Sequence, residues 1–82
     1  MRNKIEITKK NDKIHFYLIS GGKRLYMFSQ SFSKGVYEFF RNARSEAELY
    51  NYKLWHKNPR LDKTIEKLPM YIRYVMKEEN AA

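Results

Sequence analysis

Two dipeptides, Asn11-Asp12 and Gly21-Gly22, cut the start of the chain into three short segments and fix how those segments pair. Both suit two-residue hairpin turns whose central residues take positive φ, a conformation glycine adopts freely and Asn and Asp tolerate. Counting outward from the first turn sets Ile7 opposite Phe16 and Ile5 opposite Leu18. Counting from the second sets Phe16 opposite Met27, Leu18 opposite Leu25 and Tyr17 opposite Tyr26. Side chains alternate between the faces of a strand, so Ile5, Ile7, Ile14, Phe16, Leu18, Leu25 and Met27 share one apolar face. The opposite face collects Lys4, Glu6, Thr8, His15, Tyr17, Ile19, Arg24, Tyr26 and Phe28, with His15 paired to Phe28. Strands are expected over about 3–9, 13–20 and 23–29. A slip of one residue would expose Phe16 and Leu18, so the pattern resists it.

Helical signals follow. Ser33 offers an N-cap, and Val36, Phe39, Phe40 and Ala43 recur at the spacing of one helical stripe, predicting a helix over about 33–43. Ser45-Glu46-Ala47-Glu48 reads as a capping box, which opens a second helix over about 45–57. Its apolar residues (Ala47, Leu49, Tyr50, Tyr52, Leu54 and Trp55) lie on several sides, which places it in the middle of the helical layer. Asn58-Pro59 pairs a capping residue with proline at the first helical position. From there Leu61, Ile65, Leu68, Ile72, Val75 and Met76 hold one helical phase through Pro69. Interior proline removes a hydrogen bond and clashes one turn back, so a kink or break is expected at Leu68-Pro69, giving helices over about 59–68 and 69–78. Residues 79–82 read as a frayed tail. The expected fold is α+β: a three-stranded antiparallel meander, then three or four helices packed on its apolar face, as one small domain over 1–82.

Composition narrows the function. The 82 residues contain no cysteine, which excludes disulfides and thiolate metal sites. The charged N-terminal segment has no apolar core of the signal-peptide kind, and no apolar run approaches the roughly 20 residues of a bilayer span. A cytoplasmic protein with no membrane partner is therefore expected. Net charge is +8, with ten Lys and Arg against three acids over residues 1–44 and seven against six over 45–82. Excess cation on the strands and first helix suggests a polyanionic partner, although it also serves solubility.

Catalytic and cofactor motifs are not apparent. His15 and His56 are far apart in sequence and have no metal-ligand spacing around them; each reads as a surface or partly packed side chain. The acids sit near helix starts, near cations or in the tail, and the serines at turns and caps. Gly21-Gly22 followed by Lys23-Arg24 evokes a phosphate loop, but a strand rather than a helix comes next. No enzyme activity, cofactor or metal is expected.

The mixed sheet face is the candidate site. Tyr17, Tyr26, Phe28 and His15 would stack bases, while Lys4, Lys13, Lys23 and Arg24 would contact phosphates, as in sheet modules that hold nucleic acid. The basic turn Lys9–Lys13 could also follow a duplex backbone. Nucleic acid, DNA or RNA, is the favoured partner. The alternative is a protein-binding adaptor or inhibitor, or a homodimer, using the same face or a free strand edge. Arg41 and Arg44 end the first helix, where its dipole favours cations. Tyr71, Arg73, Tyr74 and Lys77 read as a solvated flank of the last helix.

Overall fold

A computed structural model describes residues 3–55 and 58–81, and the side chains of these except Tyr50, Lys53, Leu54, Trp55 and Ala81. Expectations for Tyr50, Leu54, Trp55, His56 and the end of the second helix fall outside that description. The meander forms as read, with β1 at Lys4–Lys10, β2 at Lys13–Ser20 and β3 at Lys23–Ser31. Asn11 and Asp12 have φ of 50° and 60°, Gly21 and Gly22 57° and 79°, so all four turn residues carry the required positive φ. The first turn is also tied across the sheet, because the Phe32 amide donates to the Asp12 carbonyl at 2.8 Å.

The β1–β2 register is the expected one, with Ile5 on Leu18 and Ile7 on Phe16. The β2–β3 register departs from it in one place. Tyr17 pairs with Tyr26 and Leu18 with Leu25, but a bulge then inserts Met27, and Phe16 faces Phe28. His15 consequently pairs with Ser29, and Phe28 moves to the helix-covered side, where it packs against the core. Burial explains the shift. An ordinary ladder would keep one more backbone hydrogen bond, worth about 1 kcal/mol. The bulge instead brings most of a phenyl ring under cover, a large part of the roughly 1.5–3 kcal/mol that full burial of such a side chain is worth.

Three helices follow: α1 at Lys34–Phe40, α2 at Glu46–Trp55 and α3 at Pro59–Ala81. Between α1 and α2 lies a two-residue strand, β4 (Arg44–Ser45), which the sequence reading lacks. It pairs antiparallel with β1 and makes the sheet order β3-β2-β1-β4. The Glu48 half of the capping box forms: Glu48 accepts from the Ser45 amide at 3.4 Å, and the Ser45 hydroxyl donates to the same carboxylate at 3.3 Å. Arg44 supports the same junction. It donates to the Phe39 carbonyl at 2.9 Å, near the end of α1, and pairs with Glu48 at 3.0 Å. The middle of the helical layer belongs to α1, which packs on both β1 and α3, while α2 lies against β4.

The last helix corrects the expected break. Residues 59–81 form one helix with Pro69 inside it, and it continues through the segment read as a frayed tail. Asn58 caps it as expected, its Oδ1 accepting from the Arg60 and Leu61 amides at 3.2 and 3.3 Å. Leu61, Ile65, Leu68 and Ile72 are all buried, on both sides of the proline. At about 1.5–3 kcal/mol each, their burial outweighs the roughly 3 kcal/mol cost of an interior proline. Thr64, also buried, lies 3.1 Å from the side-chain oxygen of Gln30, which the bulge has turned toward α3. At Gly35 a methyl group would come within 2.6 Å of the Asn58 side-chain Nδ2, so a larger residue there would have to displace the side chain that caps α3.

Two substitutions test these balances. Gly22→Ala places a side chain in open space but at φ +79°, so chemical denaturation should show a loss of about 1 kcal/mol from the backbone alone. Pro69→Ala restores a helical hydrogen bond at an exposed position and should raise stability by about 1–3 kcal/mol. A lower melting temperature for Pro69→Ala would mean that α3 needs the proline to fit the sheet.

Candidate nucleic-acid interface

The core lies between the sheet and its helices, so the reverse face of the sheet is left without a described element over it. Strand register arranges that face in rows: Lys4–Ile19–Arg24, Glu6–Tyr17–Tyr26, Thr8–His15–Ser29 and Lys10–Lys13–Ser31. Successive rows are about 6.6 Å apart, two residues along a strand.

The upper rows form a connected chain of side chains. Arg24 lies over the Tyr17 ring with its guanidinium carbon 3.8 Å from the centroid, and its Nε pairs with Glu6 at 3.2 Å. Tyr17 meets Tyr26 edge to face at 5.6 Å, and Tyr26 meets His15 at 6.2 Å with the rings tilted by 45°. Such contacts are worth about 0.5–1 kcal/mol each at an exposed site, and they hold the rings in fixed orientations. Tyr26, between Tyr17 and His15 and on the outermost strand β3, is 52% exposed. It is the ring that offers a face to solvent, because Arg24 already covers Tyr17. Ser29 and Ser31 add no bulk beside it.

The lower row carries charge without compensation. Lys10 and Lys13 stand directly opposite each other, both exposed, and neither joins an ion pair among the described residues. Like charges directly across a ladder repel, and an anion bound between them would relieve that repulsion. Lys4 adds a third exposed cation at the other end of β1. Lys10 joins the face through hairpin pairing, a signal present in the sequence once the Asn11-Asp12 turn is placed.

The eight expected site residues therefore divide. Lys4, Lys13, His15, Tyr17, Arg24 and Tyr26 come together on the open face. Phe28 does not: its ring stacks on Phe16 at 4.5 Å and on Tyr71 of α3 at 4.4 Å, inside the fold. Lys23 does not either. It pairs with Glu79 near the end of α3, on the helix side of the sheet. The Glu79 hydrogen bond and then its charge raise the Lys23 pKa above the ordinary lysine value. Tyr71, read as part of a solvated flank, is packed against the core through Phe28.

Elsewhere a cleft of about 530 Å³ separates α2 from α3, with Leu49, Ile65, Leu68 and Ile72 in its walls. Among the described residues no three His, Asp or Glu gather as a metal site, and no helix is long and apolar enough to cross a membrane. Compared with protein-family models, curated proteins and solved structures, the chain matches none of them.

Proposed function

We propose that the protein is a small non-catalytic nucleic-acid-binding protein that acts in the cytoplasm and holds its ligand on the open face of the sheet. The observation that carries this reading is the half-exposed Tyr26 ring, flanked by His15 on one side and the Arg24-capped Tyr17 on the other. A base stacks on Tyr26, a contact worth about 1–3 kcal/mol in single-strand-binding proteins. Lys10, Lys13 and Lys4 meet phosphates at the two ends of the face, and Arg24 and Tyr17 keep the stacking ring in place. With one open ring rather than four, the face takes a short single-stranded stretch, and its affinity depends strongly on salt.

A second reading, a homodimer or adaptor, is favoured by the outer side of β3, which pairs with no other strand among the described residues. Lys23 and Arg24 at the start of that edge and the Met27 bulge within it both discourage strand addition.

A labelled single strand, a duplex and an RNA titrated across about 50–300 mM salt test the proposal, with solution mass measured alongside. Affinity should fall steeply with salt. Tyr26→Ala should weaken single-strand binding by about 1–3 kcal/mol while leaving the melting temperature nearly unchanged. Absence of binding to all three ligands at about 50 mM salt would overturn the proposal. A stable dimer dissociated by Tyr26→Ala would favour the second reading.

A further inference from the structure

The near-neutral charge of the C-terminal half hides a segregation that α3 makes visible. Its inward stripe is apolar and buried. On the outward side Lys63, Lys67, Met70, Tyr74 and Lys77 follow one another at alternating steps of four and three, which aligns them along a single face. All five are exposed, and Met70 and Tyr74, at 56% and 63%, are two of the three large hydrophobic residues among the described ones that the fold leaves in solvent. Arg73 flanks the stripe and Lys77 lies one turn beyond it, a like-charged i, i+4 pair that repels in isolation. Glu66 and Glu78 lie on its two flanks, and Glu66 also lines the cleft toward α2.

From these observations we infer that the outward face of α3 is a second nucleic-acid contact, and that its ligand is a duplex. The surface carries cations at both ends with a methionine and a tyrosine between them. Lys67 and Lys77 are ten residues apart, about 15 Å along the helix. That distance spans a major groove about 12 Å wide, which puts Lys63 and Lys67 on the backbone of one strand and Lys77 on the other. Met70 and Tyr74 then face the groove. A single-strand ligand has no comparable fixed separation between two phosphate tracks. Two other occupants fit less well. An in-plane membrane helix buries an apolar face in lipid, and the apolar face of α3 is already spent on the core. A protein interface could centre on Met70 and Tyr74, but the lysines around them, three of the five residues, are a type that interfaces are depleted in and that duplex backbones attract.

Because α3 covers the core side of the sheet, this surface points away from Tyr26, and the molecule presents two contact faces back to back. The inference does not depend on the sheet-face proposal, and the two are separable by experiment. Binding of a short duplex, a single strand and anionic phospholipid vesicles is measured for wild type, the double variant Lys67→Ala/Lys77→Ala, and Tyr26→Ala. The double variant should lose about tenfold or more in duplex affinity, and its slope of log affinity against log salt should fall by about 2. Its single-strand binding and melting temperature should stay at wild-type values, because both side chains are exposed. Tyr26→Ala should show the converse. Unchanged duplex affinity in the double variant, no duplex binding by wild type, or a loss confined to vesicles would each overturn the inference.

Discussion

The fold depends on the ring of Phe16. It is fully buried at the centre of β2, stacked on Phe28 of β3 and met edge-on by Phe40 of α1 at 5.3 Å. Phe28 passes the contact on to Tyr71 of α3. On the other side Phe40 meets Phe39 at 4.8 Å and Phe39 meets Tyr52 of α2 at 4.1 Å, so one run of aromatic rings joins the sheet to all three helices. A chain of 82 residues buries only a modest share of its surface, so concentrating large rings at one junction suits its size. The run exists only because Met27 bulges. In a regular ladder Phe28 would lie on the opposite face, and Tyr71 of α3 would lose the ring it stacks on.

The same bulge shapes the reverse face. Removing Phe28 from that surface and setting Ser29 beside His15 leaves Tyr26 as the one ring with an open side. Tyr17, Arg24 and Glu6 then serve as its support, a stacked cation and an ion pair that restrict how the face can rearrange. A ligand reaching Tyr26 meets a ring already oriented, so little side-chain entropy is lost on binding. Core and candidate site are thus two consequences of one inserted residue.

What the sequence discloses follows from how local each cause is. Both hairpin turns are legible because positive φ restricts the residue types that can sit there, and Asn58-Pro59 and Ser45–Glu48 are legible because caps act within one turn of chain. The Phe28 inversion is not legible in that way. Alternation alone favours the regular ladder, and only the presence of Tyr71, some forty residues later, makes the bulge worthwhile. Strand β4 is two residues long, too short for any periodicity, and is set by where α1 returns the chain beside β1. Pro69 presents the opposite case: a strong local signal is overridden by apolar burial on either side of it. Lys23, expected to reach phosphates from the border of the face, follows Leu25 rather than Arg24 in its facing and turns to Glu79 on the helix side.

The site and the core both rest on Tyr26 being open to a ligand while Phe28 packs between Phe16 and Tyr71 on the helix side of the sheet. Nuclear magnetic resonance spectra recorded while a short single-stranded oligonucleotide is added test it most directly. Ring and amide signals of His15 and Tyr26, with those of Arg24, Lys10 and Lys13, should shift together to saturation, while the rings of Phe16 and Phe28 stay in place. Saturating binding that leaves Tyr26 unmoved, or that shifts Phe28 as much as Tyr26, would contradict the account.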